Sequence, residues 1–534
     1  MLYRQRSAIV FLLCIFIYWL FASIFVIEER DLWLDEGFTF LFVKSSSDVF
    51  WDLILGNEMN MMPYYLAVRP FAQLGLDAID LRYLSLIPAA ATIFLVFHFS
   101  TSFFKQRLAL LATYFVATNP LFIRYSGELR AYSLTMLLSL AGVVLIYLYF
   151  ANRKPVYLYG LAMTAILAFY SGFLSLLVFG LIGLLLLADC ATRGWAGLRH
   201  LAASLVIALL ALAPGFLVIL TSGGENLDWI DPVSVKAAYR MVYQLLGAEH
   251  IDNVWAQRGL VLGFSLSALV AIFMWLRWAA SFVRQPRGSF DAGLFYGEGM
   301  HPLTKSSGLL IVGGGTLAAG FIISLIQPMM VLRYFTMVIP LLGLVLAVGL
   351  ISIPHRPLRL LVIIVFVAIF AASSLTIFDR EELKNQTDEW PKVLRTLMTE
   401  TCTESTGVVV HIPIEQVRFN AFIADDMRDR ETLACLSNLY PKWFHMKTGG
   451  LVAGVDVHRH IRTISSIDWA GVFDRYRRFW VITVQRQTPG SLASQSEMIA
   501  TLNDYAEHNG YVMSNEVVLE NTTMLFWEHR SSPE

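Results

Sequence analysis

Asp35 and Glu36 are adjacent carboxylates a few residues beyond a long apolar stretch, Ser7 to Ile27. A carboxylate held beside a hydroxyl can take its proton as the oxygen forms a new bond, and a positioned base of this kind contributes about 10²–10⁴-fold to rate. One carboxylate suffices for that step, which leaves the other to orient the base or the hydroxyl. A second reading stays open from these residues alone. Asp35 can cap a helix beginning at Glu36, with Trp33 as an aromatic anchor at a membrane surface.

Other polar side chains sit where a reaction at a membrane surface could use them. Glu58 lies in the same loop as the acidic pair, Arg82 and Arg333 stand at the ends of apolar stretches, Tyr334 follows the second arginine, and Glu128, Arg130 and Tyr132 cluster between two further stretches. The planar fork of arginine binds phosphate oxygens bidentately, while arginines at helix ends also snorkel toward bulk lipid phosphates. His98 and His200 stand alone on or beside apolar stretches, and no His/Cys set has zinc-site spacing.

The elements that must hold these residues follow from composition. Of 534 residues, 56% are hydrophobic and 15% charged, which is more apolar surface than one water-soluble core can hide. A formal net charge of −1 and the lack of a polybasic tract exclude a nucleic-acid partner. Apolar stretches near 7–27, 83–104, 108–123, 131–151, 155–170, 173–188, 200–220, 259–280, 306–326, 334–352 and 358–378 predict about eleven transmembrane helices. The first has no small-residue cleavage site before Glu28, so it reads as a retained anchor.

Direction comes from the basic residues of short loops, which tend to stay cytoplasmic. Arg4 and Arg6, Lys105 and Arg107, Arg153 and Lys154, Arg193 and Arg199, Arg277 to Lys305, and Arg356 and Arg359 form the inner set. The alternation requires 62–75, with Arg69 and Pro70 near its middle, to lie along the outer interface instead of crossing. The amino terminus and 285–305 are then inside, and 28–82, 221–258 and everything from 379 onward are outside.

Beyond Phe378 continuous hydrophobicity stops, and 379–534 reads as a separate α/β domain. Strands are expected at 407–412, 479–484, 511–520 and 523–529, with helices at 493–509 and 468–478. No Gly-rich phosphate loop or nucleophile elbow occurs there, so a covering or acceptor-guiding role is expected.

Several segments together resemble one family. Leu32 to Phe38 is similar to the LW-x-DE motif of the GT-C glycosyltransferases, of the bacterial branch related to protein O-mannosyltransferases and the lipid A aminoarabinose transferase. Asn60 to Leu66 resembles that family's HPPLYYLL segment, Asp80 to Ala89 its LRLPSAL segment, and Asn119 to Leu134 its NP-x-x-x-x-YSQE-x-R-x-YSL segment. Asp228 to Pro232 and Arg333 to Pro340 resemble its later W-I/L-x-P and RY-x5-P signatures. The chain departs from the pattern at Asn60, where the family often has His, at Met61 and Met62, where it often has Pro, and at Gly127 in place of Gln.

The resemblance implies a polytopic α-helical membrane protein of GT-C type, with a catalytic membrane part over 1–378 and an extracytoplasmic α/β domain over 379–534. It implies an inverting transfer of a hexose or pentose from a polyprenyl-phosphate donor to a hydroxyl of an extracytoplasmic acceptor, at the bacterial inner membrane. Asp35 would be the base and Glu36 would orient it or the acceptor. Glu58, Arg82, Glu128, Arg130, Tyr132, Arg333 and Tyr334 would bind substrate, with Arg82 and Arg333 on the phosphate. No cofactor is required with certainty; a divalent metal cation held by Asp35, Glu58 and phosphate oxygens is chemically reasonable.

A transporter or flippase of a lipid-linked sugar is the main rival. Transporters place ionisable residues within spans near the bilayer midplane, whereas here the charged residues collect at the ends of the apolar stretches. Of the four cysteines, Cys14 lies in the first span and Cys190 at the cytoplasmic end of another. Cys402 and Cys435 share the tail, and in an oxidising outer compartment they are expected to form a disulfide worth about 3–4 kcal/mol at most.

Overall fold

The computed structural model describes residues 2–30, 32–56, 58–193, 198–222, 230, 232–248, 257–259, 261–265, 269, 306–379, 393, 396, 406–410, 439–440, 444–445, 450–451, 473, 477–484, 489–518 and 522–530. They form two compact units. The first comprises Met1–Glu29, Gly56–Ala67 and Leu81–Arg380, and the second Arg30–Leu55, Val68–Asp80 and Glu381–Glu534.

In the first unit the apolar stretches fold as helices. These are α1 (Leu2–Glu29), α5 (Ala78–Phe103), α6 (Gln106–Ala117), α7 (Pro120–Ser126), α8 (Tyr132–Asn152), α9 (Val156–Ser171), α10 (Leu176–Arg193), α11 (Leu198–Ser222), α12 (Val235–Tyr243), α13 (Ser307–Ser324), α14 (Ile339–Ile351) and α15 (Arg356–Leu375). Among the described residues eight helical segments are long and apolar enough to cross a membrane, and α9 is a shorter apolar helix. The expected span at 259–280 lies mostly outside the described residues.

A helix that is apolar on all sides is either packed inside or faces lipid. Leu332–Ile351 is the packed kind, with 89% of its apolar window buried, whereas Arg199–Leu220 has only 22% buried. Small residues allow such helices to approach closely. A Cβ on Gly343 of α14 would stand 2.7 Å from Val116 Cγ2 of α6.

The stretch expected to be one helix at 108–123 is two. Asn119 accepts the backbone N–H groups of Leu121 (2.9 Å) and Phe122 (3.2 Å) and so caps α7. Pro120 follows at the first helical position, where its missing N–H costs nothing.

The second unit contains α2 (Leu34–Lys44) and most of α3 (Ser47–Gly56); α4 (Met62–Gln73) begins in the first unit and ends in the second. It also holds a five-stranded sheet of β1 (Thr406–Val410), β2 (Leu439–Tyr440), β5 (Arg478–Val484), β6 (Tyr511–Val518) and β7 (Thr522–His529), in the order β2-β1-β5-β7-β6. β1 runs parallel to β2 and β5, while β7 is antiparallel to β5 and β6. β3 (Phe444–His445) and β4 (Gly450–Leu451) form a separate antiparallel pair.

Alternation along the strands gives the sheet two buried faces. Phe479, Val481, Leu525 and Trp527 pack with Phe473, Tyr511, and Leu502 and Ala506 of α16 (Pro489–His508). Trp480, Ile482, Met524 and Phe526 point to the opposite face and are also buried. The four expected strands are found within a few residues of their sequence positions. Cys402, Cys435 and most of the expected 468–478 helix lie outside the described residues.

Candidate active site

The acidic pair lies in the first turn of α2. The helix begins at Leu34, after Trp33, whose backbone is extended and whose carbonyl accepts the Gly37 N–H at 2.9 Å. Asp35 is therefore not the N-cap of a helix starting at Glu36. The partial positive charge of a helix amino end favours both carboxylates here. Glu36 is fully buried and Asp35 half-buried.

The far end of α2 is clamped. Arg69 of α4 donates through Nη1 to the Val43 carbonyl (3.1 Å) and through Nη2 to Ser47 Oγ (3.3 Å). Gln73 Nε2 donates to the same Val43 carbonyl at 3.0 Å. The Arg69 guanidinium also lies 4.1 Å over the Phe50 ring, and burial pushes its pKa below the ordinary arginine value. A residue that reads in the sequence as an interface marker thus ties α2 to α3.

In the first unit, Arg82 and Glu128 are buried charges, as is Asp189. Arg82, in the second turn of α5, donates from Nη1 to the Ile27 carbonyl at 3.1 Å. It therefore binds the carboxyl end of α1 and points inward instead of snorkelling. Beside it, Tyr83 OH donates to Glu28 Oε1.

Glu128 pairs with Arg124, Nε to Oε1 at 3.7 Å. Its backbone carbonyl accepts both Ser85 Oγ–H (2.7 Å) and the Arg130 N–H (2.7 Å). Tyr64 OH stands 2.7 Å from Ser85 Oγ. Tyr132 is buried, its ring edge-on to Tyr125 at 5.0 Å. Arg130 is half-buried. Arg333 and Tyr334, also half-buried, lie on the 3-10 turn Leu332–Val338, with the guanidinium 5.3 Å over the Tyr334 ring.

Glu58 is half-buried in the turn preceding α4. That turn is docked on the α9–α10 connection: Asn60 Oδ1 accepts the Phe173 N–H at 3.1 Å, and the Met61 N–H donates to the Tyr170 carbonyl at 2.7 Å. The position where the family often has histidine is thus used for docking. Among the described residues, no three His, Cys, Asp or Glu side chains are grouped so as to hold a metal ion.

Gly127 explains one departure from the family pattern. A Cβ there would fall 2.6 Å from Ile27 Cγ1, and Ile27 is the residue whose carbonyl receives Arg82. Gly127→Ala must push Ile27 aside in a packed site, which is expected to destabilise the protein by about 1–3 kcal/mol. Thermal unfolding of the purified variant measures this, and an unchanged melting temperature rejects the packing argument.

Ser85, on the same helix as Arg82, donates to the Glu128 carbonyl that also accepts the Arg130 N–H. Arg333 and Tyr334 occupy a separate turn of the same unit, while Asp35 and Glu36 belong to the second unit. The sequence reading missed Ser85, Tyr64 and Arg124. Ser85 carried a signal, since it is a polar residue at helical spacing from Arg82 within an apolar run; Tyr64 and Arg124 did not stand out.

No protein-family model and no curated protein matches the sequence. Among solved structures, ArnT from Cupriavidus metallidurans in the apo state aligns with a TM-score of 0.55 at 12% identity, over 97% of this chain and 98% of that one. The same protein bound to undecaprenyl phosphate aligns with a TM-score of 0.55 at 13% identity, over 98% and 99%. Likeness at this identity concerns the fold. With its long apolar helices and a sheet domain at the carboxyl end, the chain is a multi-pass membrane protein with the GT-C fold.

Proposed function

We propose that this protein is a glycosyltransferase that moves a sugar from a polyprenyl-phosphate donor to a hydroxyl of an extracytoplasmic acceptor. The observation that carries the reading is the set of buried polar and charged groups at or between the ends of apolar helices: Arg82 and Ser85, and Glu128, which pairs with the half-buried Arg124. Buried charge is costly and persists where it is paired or used. The fold, shared with a protein that has been solved with undecaprenyl phosphate, agrees with a lipid-phosphate substrate.

In this reading Asp35 takes the proton of the acceptor hydroxyl as its oxygen attacks the anomeric carbon. The bond from that carbon to the phosphate oxygen breaks, and the phosphate leaves with the electron pair. A single displacement inverts the anomeric centre. Arg82 and Arg333 hold the charge that develops on the leaving phosphate, and Glu36 orients the base or acceptor. Glu58, Glu128, Arg130, Tyr132 and Tyr334 shape the substrate site.

The membrane part, 1–378, is the catalytic portion, and the tail, 379–534, guides the acceptor on the extracytoplasmic side of a bacterial inner membrane. Midplane transport is disfavoured. Among the described residues of the first unit, the buried charged side chains Arg82, Glu128 and Asp189 lie near helix ends or between helices.

Comparative mass spectrometry of cell-envelope glycans, glycolipids and lipid A, with and without the protein, tests the activity. Loss of one sugar increment, restored by wild-type protein and not by Asp35→Asn, is expected. Identical profiles would reject it.

A further inference from the structure

We propose that Ser85, with Tyr64, is a positioning residue that sets the geometry of the phosphate-binding arginine and of the Glu128–Arg130 turn; this rests on the proposed function. A serine or threonine in an apolar helix ordinarily returns its proton to the carbonyl one turn earlier. Thr92, Thr118, Thr135, Thr164, Ser171 and Thr316 all do so here. Ser85 does not. Fully buried on α5, three residues after Arg82, it donates instead to the Glu128 carbonyl at 2.7 Å.

A hydroxyl has one proton. Because Ser85 gives its proton to Glu128, the 2.7 Å contact to Tyr64 must run the other way, with the Tyr64 hydroxyl donating to Ser85 Oγ. The chain is therefore directional: Tyr64 to Ser85 to the Glu128 carbonyl. The Arg130 N–H takes the second lone pair of that carbonyl. Residues 127–131 lie outside the flanking helices, and these bonds, with the Arg124–Glu128 pair, anchor the turn from which Glu128 and Arg130 project.

Three segments meet at this one hydroxyl. α5 carries Arg82, the 127–131 turn carries Glu128 and Arg130, and Tyr64 follows the docked turn that carries Glu58. Tyr64, Ser85 and Glu128 are all buried, where hydrogen bonds are stronger than in water and a missing one is not replaced. None of this requires Ser85 to touch a reacting atom.

The test uses the full chain in lipid nanodiscs with undecaprenyl phosphate as the probe. Dissociation constants are measured for wild type, Ser85→Ala, Ser85→Thr, Tyr64→Phe and the Ala/Phe double variant, at a temperature where each is folded. Ser85→Ala is expected to weaken binding by about tenfold, the scale of one buried hydrogen bond lost. Ser85→Thr, which keeps the hydroxyl, should stay within about twofold of wild type, and Tyr64→Phe should cost about threefold.

The double variant should bind no more weakly than Ser85→Ala, because the two groups act as one unit. A packing role alone predicts no rescue by the hydroxyl, with threonine at least as harmful as alanine; that result overturns the proposal, as does wild-type affinity in Ser85→Ala. If Ser85→Ala does not fold, Tyr64→Phe decides, and its unchanged affinity overturns the proposal. Failure of the wild type itself to bind undecaprenyl phosphate overturns the proposed function, and the positioning role with it.

Discussion

Under the proposed function, Asp35→Asn is expected to lower the rate of sugar transfer by about 10²–10⁴-fold, the contribution of a positioned general base, while insertion and undecaprenyl phosphate binding stay at wild-type levels. Asparagine matches the size of aspartate but cannot take the acceptor proton at neutral pH. Its position tolerates the change. Asp35 is half-buried in the first turn of α2 and is not the capping residue, so the change removes no N-cap bond, and its attraction to the helix amino end is worth about 0.3–1 kcal/mol. Turnover by purified protein in nanodiscs, with extracted lipid-linked sugars as donor, checks the result. A variant that transfers sugar within a few-fold of wild type rejects Asp35 as the base.

Arg82→Ala is expected to reduce both donor binding and stability, because the proposed phosphate contact comes on top of the bond the guanidinium makes to the Ile27 carbonyl. Removing a charge-assisted contact to the phosphate costs about 10²–10³-fold in rate when the contact strengthens in the transition state. The side chain is also buried and supplies a donor to the Ile27 carbonyl. Its loss removes that bond, a further cost of about 1.5–3 kcal/mol, the scale of a hydrogen bond to a charged group.

Two companion variants separate the tasks. Arg82→Lys keeps a positive charge but loses the planar fork, so it should recover part of the affinity and little of the geometry. Arg333 is half-buried, so Arg333→Ala should weaken donor binding with a small effect on melting. Thermal unfolding and undecaprenyl phosphate titration read both quantities. Wild-type affinity in Arg82→Ala and Arg333→Ala together removes the arginines from the phosphate site.

Much of the helix layout was legible because lipid as solvent leaves a long local signal. A run of apolar residues long enough to span is visible without knowing what it packs against. The strands were legible for a related reason: Arg478–Val484 and Thr522–His529 alternate and are rich in β-branched and aromatic residues. The break at Asn119–Pro120 was present as a motif and was passed over because the hydrophobicity on its two sides is continuous. Its meaning came from the two N–H groups that the asparagine side chain satisfies.

The acidic pair and the arginines are candidates by residue type, position and the resemblance of their segments, since a base and a fixed positive charge require particular chemistry wherever the backbone runs. How these groups are held could not. Ser85 and the Glu128 carbonyl are 43 residues apart in the chain, and Arg82 and Ile27 are 55 apart. A hydrogen bond between distant residues leaves no periodic trace in the sequence. The same limit explains Gly127, which looked like a lapse from the family pattern until Ile27 was found where a side chain would have to go. The sequence by itself determined the solvent, the helices, the strands and the chemistry on offer, because each depends on nearby residues. Only the tertiary structure decided the order of the sheet, the inward turn of Arg82 and the chain through Ser85, because each depends on which distant surfaces pack together.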